Sequence, residues 1–277
     1  MDALLMPFQF GFMQNAFLLG AVIAVPAALL SAFLVLKGWA LMGDAISHSV
    51  LPGIVLAYVV GLPLLLGAFI AGMFAALATG YLSENSRVKQ DTVMGVVFSG
   101  MFALGVVLFV AIETDVHLDH VLFGNLLGVG RADLITALAI GAPVALLVIL
   151  KWKDLLFHAF DSVQAQTSGL RVKWLHYGLL AALSLTVVAI LSSVGLVLAI
   201  GLLIAPGAIA FLMTRRFGAM LLAAVIICEM SVFAGIYTSF WVNSAPAPTI
   251  ILFQTLLFIA AFLFQQLQTR RMSRMTE

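Results

Sequence analysis

The sequence predicts an all-α polytopic membrane protein, a bundle of about nine transmembrane helices with eight as the alternative. Hydrophobic residues make up 64% of the chain and charged residues only 9%, whereas a soluble domain carries about 25% charged residues. Apolar runs of helix-spanning length, about 20 residues, recur along the chain. The single cysteine, Cys228, excludes an internal disulfide. We expect a lipid-embedded protein, with residues 1–277 as one transmembrane domain.

Polar residues, glycine and proline divide the apolar runs into spans. In order, the predicted spans are 12–36, 45–60, 64–82, 92–112, 133–150, 175–191, 196–213, 219–240 and 249–266. The division at 192–195 is the weakest in sequence. A tight turn there makes two spans, whereas 175–213 without a turn is far too long to be one crossing.

The basic residues predict the orientation of the spans. With nine spans, one face receives Lys37, Arg87, Lys89, Lys151, Lys153, Arg171, Lys173, Arg215, Arg216, Arg270, Arg271 and Arg274. Only Arg131 falls on the other face. With eight spans, half of the chain would place its basic connections outside, so the charge pattern favours nine. We expect an external N-terminus and a short polar tail, 267–277, in the cytoplasm.

Two ionisable residues lie one helical turn apart in the second span. Asp44 and His48 are spaced i, i+4 and therefore share a helix face, although a charged group at mid-membrane costs roughly 3 kcal/mol or more. Pro52 has no N–H, so the helix breaks and the carbonyl of His48 loses its partner. These groups are ligands for a divalent transition metal, in a weak and incomplete site that suits a transport path. The alternative is that Asp44 and His48 only stabilise a kink in the helix.

Three further expectations concern ionisable groups. A helix that runs on from Lys37 places His48 about 16 Å into the membrane, near the midplane. Glu229 is a second intramembrane acid; it is either a further carboxylate on the path or a partner of His48, or it hydrogen-bonds to a neighbouring helix. The outer connection contains Glu113, Asp115, His117, Asp119 and His120. A solvated acidic loop is favoured there over a cation entrance.

Two segments have helix-ending residues. The inner connection 151–173 predicts a short helix, because Asp161 or Ser162 can cap its start and Gly169 its end. This helix either docks onto a soluble partner or is an ordinary amphipathic surface helix. Pro206 and Gly207 lie inside a span and predict a kink or a broken helix, which either lines a cavity or is purely structural.

The absence of two sequence motifs narrows the range of possible functions. No G-x-x-x-x-G-K-[ST] phosphate loop occurs, so the chain does not hydrolyse ATP in that way, and no H-E-x-x-H occurs. Two alternatives stay open at this point. An ion-coupled secondary transporter acting without an ATPase could use Asp44 and Glu229 as proton-relay acids. An intramembrane metalloenzyme would need a fuller ligand set than one Asp–His pair.

Taken together, these motifs resemble the permease subunits of ABC importers for manganese, iron and zinc, over nearly the whole chain. The most specific stretch is 35–53, which contains Asp44 and His48. The stretches 98–105, 122–128 and 203–210 are also similar to the family. The connection that contains Phe160, Asp161, Ala165 and Gly169 is similar to the segment that couples the permease to its ATPase. Ser162 and Val163 stand where the family often has Pro-Glu.

The resemblance implies a bacterial cytoplasmic-membrane subunit that is not itself an enzyme. It implies a fold related to the permeases of corrinoid and siderophore importers, paired with a second copy or a related permease. The other implied partners are cytoplasmic ABC ATPase subunits and an extracytoplasmic metal-binding protein, with no nucleic acid. No cofactor is expected to be bound permanently. The cargo is Mn²⁺, Fe²⁺ or Zn²⁺, with similarity closest to the manganese/iron branch, and Asp44 and His48 match positions that face the path.

Overall fold

The computed structural model describes residues 5–112 and 126–273 and shows an all-helical protein. Its helices are α1 (Gly11–Leu36), α2 (Met42–Ser49), α3 (Leu51–Val60), α4 (Leu64–Glu84), α5 (Gln90–Ala111), α6 (Arg131–Phe160), α7 (Ser162–Thr167), α8 (Val172–Val194), α9 (Leu196–Met213), α10 (Phe217–Val242) and α11 (Pro246–Ser273). Short 3₁₀ turns at Met6–Gln9 and Leu126–Gly128 precede α1 and α6. No β-strand occurs in the described ranges, which confirms the predicted fold class.

Nine segments of the described chain are long and apolar enough to cross a membrane. Helices α2 and α3 together form one of them, Met42–Val60, and α7 is too short to span. The division between α8 and α9 falls at Gly195, whose φ of 86° lies in the region that favours glycine. The nine predicted spans are therefore confirmed, and the eight-span alternative is excluded.

The buried centre of the bundle is α1. It packs against α9 and α10 on one side and against α6 on another, while α11 closes over α9 and α10. A second group of helices brings α2 and α3 against α4 and α5, with α8 and α9 joining the two groups. The helix α2, which carries Asp44 and His48, therefore lies between the central helices and the more exposed α5.

Small residues permit the closest helix crossing. Gly53 of α3 and Gly67 of α4 face each other, and a Cβ on either residue would meet the other's backbone carbonyl. Small residues at such crossings let backbones approach in membranes, where packing rather than hydrophobicity drives helix association. This crossing fixes α3, the continuation of the site helix, against α4.

Two helices are longer than the predicted spans. The fifth span was expected at 133–150, but α6 continues to Phe160. Lys151 and Asp154 lie in this extension and pair at 3.0 Å, so the helix runs on beyond its apolar part with a polar, partly exposed surface. Similarly, α11 continues to Ser273, past the apolar span that ends at Gln268.

Candidate functional site

The site helix starts later than expected. Gly38 has a φ of 68°, and the N–H groups of Gly38 and Trp39 donate to the carbonyls of Val35 and Leu34 at 3.2 and 2.7 Å. This Schellman pattern ends α1. Helix α2 therefore begins at Met42, and the expected helix from Lys37 is wrong. His48 lies six residues into α2, about 9 Å along its axis from Met42, and its depth in the membrane stays a prediction.

Asp44 and His48 meet on one face of α2, as their spacing predicts. The His48 Nε2 and Asp44 Oδ1 atoms lie 3.3 Å apart, and each side chain is about one quarter exposed, 25% and 26%. Asp44 occupies the first turn of α2, where the positive end of the helix dipole favours a carboxylate. The contact holds both side chains toward the same point.

This separation suits two ligands of one cation. Imidazole nitrogen and carboxylate oxygen bind divalent transition metals at about 2.1 Å. Two donors at that distance and 3.3 Å apart subtend an angle of about 100° at the metal, between the tetrahedral and octahedral values. Among the described residues, no group of three or more His, Cys, Asp or Glu side chains could hold a metal. Asp44 and His48 are thus a candidate pair of ligands, which falls short of the set that an intramembrane metalloenzyme needs.

Two aromatic residues of α5 frame the imidazole. The ring of Phe98 stacks on His48 with centroids 5.6 Å apart, and Phe102 meets it edge-on at 5.3 Å. The Nδ1 atom of His48 is buried without a hydrogen-bond partner. Packing therefore orients this ring. The stretch 98–105 is similar to the family in sequence, but its pattern predicted no role for these two residues; their i, i+4 spacing was the available signal.

The predicted break at Pro52 is confirmed. Helix α2 ends at Ser49, α3 begins at Leu51, and the N–H of Ile54 donates to the carbonyl of Val50 at 3.0 Å. The buried hydroxyls beside the site donate within α2, from Ser47 to Gly43 at 2.8 Å and from Ser49 to Ala45 at 2.7 Å. A ligand role for the His48 carbonyl stays a prediction.

Pro206 and Gly207 do not break their helix, because α9 is continuous from Leu196 to Met213. The Ser31 hydroxyl of α1 donates to the Ile204 carbonyl at 3.1 Å and accepts from the Gly207 N–H at 2.9 Å. A Cβ on Gly207 would come within 2.5 Å of the Ser31 backbone. Pro206 and Gly207 are buried, and the contacts with Ser31 join α9 to α1. The purely structural role predicted as one alternative therefore holds, and a broken helix that lines a cavity does not.

Glu229 does not join Asp44 and His48. It is half-buried in α10 and lines a groove of about 520 Å³ with Val22 and Pro26 of α1 and Gly141 of α6. No ion pair joins it to His48 in the part of the chain that the structure describes, so the alternative of a partnership with His48 is not formed, while a place on the path stays a prediction. Glu229 also has no hydrogen bond to the described residues.

The predicted outer-loop ligands, Glu113, Asp115, His117, Asp119 and His120, lie outside the described residues.

The predicted coupling segment is a capped surface helix. The Asp161 carboxylate accepts the Gln164 N–H at 2.8 Å and so caps the start of α7. Gly169, with a φ of 84°, ends it. Ala165, within α7, is fully buried, whereas Phe160 is 71% exposed. The helix prediction is confirmed, and the exposed phenyl ring is the group available to a partner.

The chain is similar to proteins of one family over nearly its full length. Residues 9–265 match the family model described as the ABC 3 transport family. The chain is 51% identical to the chelated iron transport system membrane protein YfeD of Yersinia pestis, covering 98% of this chain and 92% of that protein. It is 44% identical to the manganese transport system membrane protein MntC of Halalkalibacterium halodurans, with 94% and 89% covered.

Two solved structures have the same fold. The chain matches PsaBC from Streptococcus pneumoniae, solved in complex with Fab, with a TM-score of 0.84, 34% identity, and 94% of this chain and 95% of that one covered. A metal-chelate type ABC transporter in an inward-facing conformation matches with a TM-score of 0.63 at 16% identity, covering 92% and 86%. The second likeness concerns the fold alone.

Proposed function

This chain belongs to the ABC 3 transport family, and we propose that it is the membrane permease subunit through which an ABC importer moves Mn²⁺ or Fe²⁺ into the cytoplasm. The relatives named for iron and manganese transport support this cargo over Zn²⁺. The observation that carries the proposal is the Asp44–His48 pair, 3.3 Å apart on a broken helix inside the membrane domain. Family membership displaces the secondary transporter as the explanation of these intramembrane groups.

Asp44 and His48 contact the cation directly in this proposal. A carboxylate oxygen and an imidazole nitrogen suit Mn²⁺ and Fe²⁺, while two ligands bind weakly enough to release the ion. A pair that served only as a helix brace would have no need of exposure, yet each side chain is about one quarter exposed. The exposure gives a passing cation access to both ligand atoms.

A second permease, identical or related, completes the path. The exposed helix α5 supports this, because only 17% of its apolar window is buried within one chain. Helix α5 also packs directly on α2. A partner seated on this side would bring a second pair of ligands near the first and raise the coordination number of the ion without closing the site permanently.

The remaining assignments concern the two faces of the membrane. The basic connections support a cytoplasmic position for α7 and the C-terminus and an outer position for the N-terminus. The exposed Phe160 and the capped α7 form the surface on which cytoplasmic ATPase subunits dock, and those subunits hydrolyse ATP. An extracytoplasmic metal-binding protein delivers the cation to the other face.

Uptake by the complete transporter tests the site. We expect Asp44→Asn and His48→Gln each to reduce ATP-dependent Mn²⁺ uptake into proteoliposomes by at least about tenfold, because each substitution removes one ligand while keeping side-chain volume. The matched control is Asp154→Asn, whose carboxylate forms only a partly exposed pair with Lys151. Assembly with the ATPase should be unchanged in all three. Normal uptake in both site variants would refute the assignment.

A further inference from the structure

A second polar region lies at the end of the bundle that carries α7. The end of α6, helix α7 and the start of α8 enclose a cleft of about 590 Å³. Side chains that line it include His158, Ser162, Gln166, Arg171, Lys173 and His176. None of these residues belongs to the Asp44–His48 site, and the transport mechanism proposed above leaves the cleft without a role.

The buried imidazole ring of His158 lacks a hydrogen-bond partner. It is only 6% exposed, and neither of its ring nitrogens has a hydrogen-bond partner. Leaving a buried donor or acceptor unsatisfied costs about 1–3 kcal/mol. The neighbouring His176 meets the ring edge-on, with centroids 5.9 Å apart. Because His158 also lines the cleft, a ligand there can supply the missing partner.

The start of α8 opens into the same cleft. Arg171 is its N-cap residue, the cap has no side-chain hydrogen bond, and the first turn contains no acidic residue. The N–H groups of Val172 and Trp174 already donate to the carbonyls of Leu170 and Arg171, each at 2.9 Å. The Lys173 N–H and the positive end of the helix dipole are therefore what this end of α8 offers to an anion. Helix α8 has 23 residues, enough for its aligned peptide dipoles to act in this way.

The charges around the cleft select an anion rather than a cation. Arg171 and Lys173 line it, and no carboxylate does. The Asp161 carboxylate is engaged with the Gln164 N–H. Lys37 lies close enough to act electrostatically on His158, and burial lowers the pKa of Lys37, because desolvation disfavours a charged ammonium group. A metal cation held between His158 and His176 would be repelled by these positive charges.

We propose that this cleft binds the phosphate group of an anion, held by the N-terminus of α8, Arg171, Lys173 and an N–H of His158. A phosphate offers strong acceptor oxygens to both charged and backbone donors. Its source is either the headgroup of an anionic phospholipid or a soluble phosphate compound. Trp174, 75% exposed, lines the cleft and suits the membrane interface, where basic pockets between helices bind lipid headgroups.

The lipid source rests on the orientation proposed above, which puts α7 and the start of α8 at the cytoplasmic leaflet; the soluble source does not. Neither depends on Asp44 and His48. Ser162 and Gln166 of α7 line the same cleft as Arg171 and Lys173 at the start of α8. An anion bound there would tie the segment that we expect to meet the ATPase to the bundle.

Binding to the purified full transporter tests the proposal. Native mass spectrometry compares retention of phosphatidylglycerol and phosphatidylcholine, and a second arm measures binding of radiolabelled inorganic phosphate in detergent. We expect His158→Leu and the double variant Arg171→Gln, Lys173→Gln to lower affinity by about tenfold for whichever source the wild-type protein binds. The matched control is Arg215→Gln with Arg216→Gln, which removes two exposed charges from another connection and should bind like the wild-type protein.

The outcomes separate the two sources and the competing ligand. Selective loss of phosphatidylglycerol supports a lipid headgroup, and selective loss of inorganic phosphate supports a soluble source. Equal binding of both probes by wild-type and cleft variants overturns the proposal. A bound Mn²⁺ that disappears in His158→Leu but persists in Asp44→Asn also overturns it, in favour of a cation site. Uptake measurements on Asp44→Asn judge the transport proposal separately.

Discussion

At the scale of single residues, the candidate site depends on how an imidazole is held in position. His48 has one polar neighbour, Asp44, and two aromatic neighbours, Phe98 and Phe102. The aromatic contacts restrict the ring without offering it a competing hydrogen bond. The Nε2 atom therefore stays directed at the Asp44 carboxylate, where a cation can replace their mutual contact.

Truncating Phe98 or Phe102, which pack on the His48 ring, should weaken cation uptake without abolishing it. Aromatic contacts contribute about 0.5–1.5 kcal/mol each, so Phe98→Ala or Phe102→Ala should raise the KM for Mn²⁺ uptake by about two- to tenfold. Phe264→Ala, which truncates a phenyl ring that is 66% exposed on α11, provides the control. Equal KM values in all three variants would show that the frame does not orient His48.

The sequence predicted that the two candidate ligands would meet, but it did not predict their surroundings. The i, i+4 spacing of Asp44 and His48 determines that they share a helix face, and the structure agrees. Contacts between helices have no such signature, so the role of Phe98 was missed and Glu229 was wrongly considered as a partner. The expected continuous helix from Lys37 was wrong because Gly38 ends α1 and delays the start of α2, whereas the position of His48 near the midplane stays a prediction.

At the scale of helices, the Pro-Gly pair of α9 is joined to α1 through backbone groups beside the proline. Pro206 cannot donate a hydrogen bond to the carbonyl of Leu202, and the Ser31 hydroxyl of α1 bonds to two other groups, the Ile204 carbonyl and the Gly207 N–H. Side chains of neighbouring helices commonly bond to backbone groups beside proline in membrane helices. The sequence indicated an irregularity at this position, but the residue that bonds there lies 175 positions before Pro206.

Gly207→Ala should separate α1 from α9. The new methyl group would meet Ser31 backbone atoms at 2.5 Å, and backbone cannot move aside as a side chain can. We expect overpacking on the order of 1–3 kcal/mol, seen as a lower thermal unfolding midpoint of the detergent-solubilised protein. The control is Gly178→Ala in α8, where nothing lies within 4 Å of the added Cβ. An unchanged midpoint in Gly207→Ala would contradict the described packing.

The short helix α7 makes a separate prediction. Phe160 is 71% exposed and supports no core, so Phe160→Ala should leave the fold intact while reducing co-purification of the ATPase severalfold, as truncation of an aromatic anchor does at other interfaces. Met213→Ala, at another exposed apolar position (62%), should retain the ATPase. If both variants retain it equally, Phe160 is not a docking residue.

At the scale of the whole molecule, hydropathy and charge determined the number of spans. Nine apolar segments and the distribution of basic residues predicted the bundle that the described residues form. The arrangement of helices could not be predicted in the same way, because apolar residues cover almost every face of each span. Which helix is central depends on close crossings such as the one between Gly207 of α9 and the Ser31 backbone of α1.

The ligand chemistry of the whole path predicts the preferred cargo. The only cysteine, Cys228, is buried in α10, so the Asp44–His48 site has no thiolate of the kind that selects Zn²⁺. In a strain whose metal import depends on this system, excess unlabelled Mn²⁺ or Fe²⁺ should suppress labelled Mn²⁺ uptake more strongly than Zn²⁺ does. Stronger competition by Zn²⁺ would reverse the cargo assignment.

The central claim is that Asp44 and His48 bind the transported cation. Pulsed electron paramagnetic resonance of Mn²⁺ bound to the purified permease measures directly whether an imidazole nitrogen is coordinated. We predict a nitrogen modulation in the wild-type protein that disappears in His48→Gln and persists in His176→Gln. A nitrogen signal from bound Mn²⁺ that is the same in His48→Gln as in the wild-type protein would contradict the claim.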